Sequence, residues 1–406
     1  MKISKMILAG LVGFGLIAQA KADVTVYVTG STAFRNAAYF GIRAMFNPGF
    51  TEVTYGNAAP NKGNEMMWIG TVPAAVVGGA NSIAIPGTVT IKAHWSGSVE
   101  GVRDVTGGNT IAFFPNSSKP AGNYSSINFA NSSTYVASDF ESTAHAADIA
   151  MVDNFQSSTK YTTPVLVDKS VGVITFVWTK NAGAPAALNN MTHALARSLL
   201  AGPIPLSLFT GNPADFNGTA PFVYAVGRYD GSGTRVQAFA DCGYGIFSTP
   251  QQFGIAAGPA LSLFSGPDAN GVATSDGSQG YASGGGLAGA LNIAGSSTAA
   301  DPFFGGTGWY AIGYLGTSDN SSVNGGNNAL TLNGVPYSAQ AVAEGQYTFW
   351  SYEHEMYLST LSGDKLTAAK NLFTEIVPGG FATQAGVALS AMHVTKATDL
   401  ADAAHN

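Results

Sequence analysis

Hydroxyl side chains recur in this chain where a strand gives way to a helix, and one such turn adds an arginine. Ser31 and Thr32 follow an alternating strand, Ser98 follows a second, and Arg228, Ser232 and Thr234 follow a third. The first backbone N–H groups of a helix lack internal partners and the helix dipole favours negative charge there, so such turns suit an oxyanion. Serine and threonine hydroxyls add donors, and the Arg228 guanidinium can present two parallel N–H groups to two oxygens of a tetrahedral anion. Each turn taken alone is also ordinary helix capping. The run Arg228-Tyr229-Asp230-Gly231-Ser232-Gly233-Thr234, set between a strand and a helix, is more specific than any of its parts.

The elements that must position these groups are legible from periodicity. Val24, Val26 and Val28 alternate with Asp23, Thr25 and Tyr27, then Phe34, Ala38, Ile42 and Met45 recur at helical spacing, with Ser31 or Thr32 as the predicted cap. Residues 89–95 read as a strand, Ser96-Gly97-Ser98 as a turn and 99–105 as a short helix. Asp148 to Val152 is a short apolar strand ending on Asp153. Residues 222–226 and 171–179 are further strands, 190–201 a helix stopped by Gly202-Pro203, and Asp364 the predicted cap of a late helix. Strands alternating with helices predict an α/β fold with parallel sheets covered on both faces.

Composition bounds the function. The 406 residues hold 51 glycines, against roughly 28 at about 7% usage, while charged residues are only 10%. Aromatics at 11% argue against disorder. Much of the glycine lies in long Gly/Ser/Asn/Pro-rich stretches at 52–87, 106–140 and 262–308, whose role the sequence does not reveal. Residues 1–22 read as a cleaved secretory signal: Lys2 and Lys5, an apolar stretch from Met6 to Ala18, then Ala20-Lys21-Ala22. Its removal leaves 15 basic against 24 acidic residues, a net charge of −9, which offers no field for nucleic acid or anionic lipid. Cys242 is the only cysteine, so there is no internal disulfide and no lipid-anchor cysteine at the cleavage site; it reads as a small buried residue. A periplasmic or secreted location and a monomer are expected. There is no nucleophile elbow, HExxH or Walker A loop, and the six histidines lack ligand spacing. Glu353-His354-Glu355 reads as a surface strand end. No enzyme activity, metal or cofactor is expected.

Residues 228–234 resemble the R-x-D-G-S-G-T signature of the periplasmic phosphate-binding proteins of phosphate ABC transporters. Thr29 to Phe34 is similar to that family's N-terminal T-G-[AS]-x-[ST]-x-[FY] element with one residue fewer. Gly97 to Val102 resembles its G-S-S-G-G-V turn, and Asp148 to Asp153 its D-[FI]-[GA]-x-[SV]-D strand. Gly172 to Trp178, Ala311 to Tyr314 and Gly345 to Tyr347 match later pieces in order, so the resemblance spans nearly the whole mature chain.

It implies a two-lobed type II binding-protein fold, each lobe a mostly parallel sheet flanked by helices, with a ligand cleft between lobes and hinge closure around it. The first lobe would take 23–165 and 340–406, the second 166–339. The implied ligand-binding residues are Ser31, Thr32, Phe34, Ser98, Asp153, Arg228, Ser232, Gly233 and Thr234, with Asp230 orienting Arg228. Asp153 would accept a proton that phosphate carries and sulfate lacks. The implied ligand is inorganic phosphate, and the implied partner an ABC-transporter permease. Glu100 departs from the family's glycine and either points outward or alters the ligand; Arg35, where proline is common, either offsets Glu100 or adds an anion contact. Two other readings stay open: the same fold binding arsenate, molybdate, a phosphonate or a phosphate ester, or a structural or adhesive exoprotein whose turns are only caps.

Overall fold

The computed structural model describes residues 23–55, 59–73, 83–114, 140–377 and 386–405. The segment read as a secretory signal lies outside them, as does most of the 106–140 stretch. Among the described residues, eleven strands join one mixed sheet: β1 (Val24–Gly30), β2 (Thr51–Tyr55), β3 (Glu65–Val72), β4 (Ile85–Trp95), β5 (Ile149–Val152), β6 (Leu166–Lys180), β7 (Ile204–Pro205), β8 (Phe222–Val226), β9 (Trp309–Gly316), β10 (Trp350–Leu358) and β11 (Gly386–Val387). Their order is β2-β3-β4-β1-β5-β10-β6-β9-β8-β7, with β11 added against β6. The α/β architecture is as expected. Within this sheet, parallel pairing among the described residues is confined to β4-β1-β5 and to β8-β9, the ladders whose strands run into the hydroxyl-bearing turns. The antiparallel remainder includes the β2–β3 hairpin, which accounts for part of the 52–87 stretch.

Alternation along the strands sends side chains to two faces, and helices cover both. In the first half of the sheet Val26, Val28 and Met151 pack with Phe34, Ile42, Ala369 and Leu372 under α1 (Arg35–Met45), while Ala150 and Val152 pack with Val102 and Val105 of α2 (Ser98–Val105) on the other face. The second half repeats the plan with α3 (His193–Ala201), α4 (Gly233–Cys242) and α5 (Gly284–Leu291): Tyr224, Val226, Ala311 and Leu315 meet Leu287 and Leu291, and Ala225, Ile312 and Tyr314 meet Ala238 and Phe239. Ala369 and Leu372 belong to α6 (Gly363–Glu375), whose N-cap is Ser362; Asp364 falls in its first turn instead of capping it, where its charge still suits the dipole. β6 belongs to both halves, because Leu166–Thr175 pairs with β10 and Phe176–Lys180 with β9. Cys242 is buried, as expected, and burial pushes its thiol up to about 12.

The reading of Glu353-His354-Glu355 as a surface strand end is corrected by the structure. All three are buried, because β10 is a central strand paired on both edges and covered on both faces. His354 Nδ1 lies 2.7 Å from Asp168 Oδ1. Both carboxyl oxygens of Glu355 lack a hydrogen-bond partner among the described residues, and burial holds its pKa well above the ordinary 4.5. A raised carboxyl binds a proton more readily in the folded chain, so its cost is absent below the ordinary value and grows as pH rises past it. Glu355→Met is therefore expected to raise the melting temperature, and by more at pH 8 than at pH 5. Melts at the two pH values check this; a gain that is equal at both would show that the carboxyl does not ionise at a cost.

Candidate functional site

The predicted turns lie at the C-terminal ends of β1, β4, β5 and β8, the ends at which open α/β sheets bind ligands. Gly30 ends β1 with φ +136 beneath the Met151 carbonyl, where a side chain would overlap it. Ser31 N donates to that carbonyl at 2.8 Å. Ser31 Oγ accepts from Ala33 N at 3.1 Å and from Phe34 N at 3.4 Å, so it organises the turn before α1, whose N-cap position is Phe34. Neither Ser31 nor Thr32 is itself the cap.

Asp153 sits at the centre. It is fully buried, its Oδ2 accepts from Ser31 Oγ at 3.1 Å, and its Oδ1 accepts from Ser98 Oγ. Gly233, the first residue of α4, lies so close that an added Cβ would overlap Asp153 Oδ1. Burial pushes the Asp153 carboxyl above its ordinary value, while the Ser98 and Ser31 hydroxyls and the Arg228 charge pull the other way. The loop is fixed from behind: Gln237 Nε2 on α4 donates to the Asp153 carbonyl at 2.9 Å and to Asp399 Oδ1 at 2.6 Å, and Asp399 Oδ2 accepts from Phe155 N.

Arg228 is equally well held. Its Nε donates to the Tyr281 carbonyl at 2.9 Å, and its Nη2 to the Ala282 carbonyl at 2.9 Å and to Thr32 Oγ1 at 3.3 Å. Burial pulls its guanidinium below the ordinary value, with Asp319 and Asp153 among the groups opposing this. Ser232 Oγ caps α4 by accepting from Arg235 N at 3.3 Å, and Thr234 is buried in its first turn. The structure thus brings together Ser31, Ser98, Asp153 and Gly233, with Thr32 against Arg228. The orienting role expected of Asp230 is corrected: its Oδ1 accepts from Ala269 N at 2.7 Å, and the two backbone carbonyls orient Arg228 instead.

Glu100 does not point outward. It is buried, Tyr229 Oη donates to its Oε2, and Arg103 Nη2 reaches its Oε1 at 3.5 Å. The same Tyr229 oxygen lies 2.8 Å from the Ser96 carbonyl, so its one proton is shared between Glu100 and Ser96, and Val99 N donates to the Gly231 carbonyl at 3.1 Å, so the two halves meet directly over the site. Gly97 permits this approach, since a Cβ there would overlap the Gly231 carbonyl. Arg35 Nη1 donates to Asn64 Oδ1 at 2.5 Å. Two groups escaped the sequence reading. Asp319 lies against Gly284 at the start of α5 and interacts with Arg35, Arg228 and Lys62; the Ser283-Gly-Gly-Gly run was its only local signal. Asp399 had none.

Two cavities flank the site. One of about 520 Å³ is bordered by Thr32, Asn64, Trp95, Glu100, Tyr229 and Tyr281. The other, about 390 Å³, is bordered by Lys160, Asp230 and Arg235.

No family model and no curated protein matches the chain. Among solved structures it is similar to a protein from Clostridium perfringens described as a phosphate ABC transporter substrate-binding protein with bound phosphate, at 14% identity over 90% of this chain and 100% of that one, TM-score 0.47. It is also similar to an ABC-type phosphate transport receptor from Vibrio cholerae, at 12% identity over 89% and 99% of the two chains, TM-score 0.42. A third is PstS from Borrelia burgdorferi, at 12% identity over 90% and 98%, TM-score 0.36.

Proposed function

We propose that this is a secreted or periplasmic binding protein that captures a tetrahedral oxyanion, inorganic phosphate foremost, and delivers it to an ABC-transporter permease without chemical change. The two halves of the sheet would be the lobes, 23–165 with 340–406 and 166–339. One observation carries the reading: a buried carboxylate, Asp153, held by two serine hydroxyls at the ends of parallel strands, against a helix N-terminus and near a buried arginine from the other half. Helix caps need no such carboxylate; burying one costs stability, and carboxyls perturbed by desolvation beside a charged partner cluster at functional sites. Arg228, the α4 N-terminus and the Ser31, Thr32 and Ser98 hydroxyls would supply donors, and Asp153 would take the phosphate O–H that sulfate cannot offer.

The test is a thermal melt of the mature protein against a panel of anions. A ligand that binds only the folded state stabilises it by about 2.7 kcal/mol at a hundred times its Kd. Millimolar phosphate is expected to raise the melting temperature by several degrees and equimolar sulfate to leave it unchanged. Arg228→Ala is expected to lose the phosphate shift. No shift with phosphate, or one retained in Arg228→Ala, would leave these turns as helix caps.

A further inference from the structure

The 520 Å³ cavity is far larger than an oxyanion needs and lies within the range of small-molecule sites. It adjoins the proposed anion site, because Thr32, which borders it, accepts from Arg228 Nη2 at 3.3 Å. Its walls combine flat apolar surface with acceptors. Trp95, Tyr229 and Tyr281 contribute aromatic surface from both halves, and Phe264 adds another ring. Phe264 and Tyr281 stack edge to face with centroids 5.0 Å apart, which gives one wall a fixed shape. Glu100 also lines the cavity: Tyr229 occupies Oε2, Arg103 Nη2 reaches Oε1 at 3.5 Å, and the neighbouring Ser96 hydroxyl adds a further interaction with the carboxylate. Asn64 and the half-buried Asp268 also border the space. Two carboxylates around the cavity disfavour a second anionic group, whereas Glu100 Oε1 can accept from a hydroxyl.

We infer that, beyond inorganic phosphate, this site takes a phosphate monoester whose neutral, hydroxyl-bearing ring fills the 520 Å³ cavity, its phosphoryl oxygens on Arg228 and Thr32 and a ring hydroxyl on Glu100. This rests on the anion-binding reading above and adds the organic part of the ligand to it. It also gives a use to Glu100: a carboxylate beside an anion site is a liability for free phosphate but an acceptor for a sugar-like hydroxyl.

Calorimetric titration with inorganic phosphate and with a panel of pentose, hexose and nucleoside monophosphates tests it. At least one monoester should bind about tenfold more tightly than inorganic phosphate, or better, a gain of about 1.4 kcal/mol. Ser265→Trp, placed at the exposed rim of the cavity, should erase that gain and leave the inorganic phosphate titration unchanged, which also shows that the variant is folded. Glu100→Gln should weaken the ester more than inorganic phosphate. Phosphate binding with no ester preferred, or an ester preference indifferent to Ser265→Trp, overturns the inference while leaving the phosphate reading standing. Binding of neither overturns both.

Discussion

Asp153→Asn is expected to raise the melting temperature in phosphate-free buffer at pH 7 and at the same time to shrink the response to phosphate sharply. Both effects come from one carboxyl. Burial holds its pKa above the ordinary aspartate value of 3.8, so the folded chain binds its proton more readily than the unfolded one. The cost is therefore absent below the ordinary value, and stability falls as pH rises beyond it. An amide removes the charge while keeping the shape, and the Ser31 and Ser98 hydroxyls can satisfy it by one donating and the other accepting. For binding the change is adverse, because an amide oxygen accepts from the phosphate O–H far less strongly than a carboxylate. Hydrogen bonds to charged groups contribute about 1.5–3 kcal/mol, so a loss of roughly ten- to a hundredfold in affinity follows, with discrimination against sulfate narrowed in step. Paired melts with and without phosphate check this. A variant that melts lower yet keeps its phosphate shift would mean that Asp153 serves the fold and not the ligand.

Gly233→Ala should do the opposite to stability and the same to binding. The new methyl group would overlap Asp153 Oδ1 and approach Ser98 Oγ to 2.7 Å. Its backbone does not need the left-handed region, so the penalty is overlap alone. Overpacking of this kind costs about 1–3 kcal/mol, and relief requires α4 to withdraw from the Asp153 loop, parting the donors of one half from those of the other. Phosphate affinity is expected to fall by about a hundredfold or more, an effect comparable to a misplaced positioning group. Adding Asp153→Ala to Gly233→Ala removes the overlapping carboxylate, so the double variant should recover most of the lost stability and none of the binding. Such non-additivity is the mark of two groups in direct contact. Additive losses in a double-mutant cycle would place the damage elsewhere.

The strand-turn-helix units were legible because their signals are local. Valines at every second position, glycine at the break and serine just beyond it state the geometry within ten residues, and the structure has β1 and β4 where alternation, and β5 and β8 where short apolar runs, predicted strands. The meeting of Ser31, Ser98 and Asp153 is not local; it was reachable only because several such units followed a recognisable order. Sequence offered nothing for contacts set by tertiary packing alone. Asp230 looked like the natural partner of Arg228 two residues away, but a turn sends neighbouring side chains apart, and the chain some fifty residues on supplied the carbonyls. Glu353-His354-Glu355 looked exposed because charge reads as solvent-facing, whereas a central strand buries whatever it carries. Asp319 and Asp399 stand beside Gly284 and Gln237 only after the sheet has brought distant segments together.

The sharing of β6 between the two halves has a mechanical consequence. β6 is a single strand of 15 residues, and β10 runs antiparallel to its first part with a register shift between Glu353 and His354. Relative motion of the halves cannot swing on a slack peptide, since the link is a hydrogen-bonded ribbon whose rungs would have to break. It must instead be taken up as torsion along that ribbon, which behaves as a stiff spring. Travel is then short and self-restoring, and the amide protons of β6 around Thr175 and Phe176 should exchange slowly with solvent whatever the site holds.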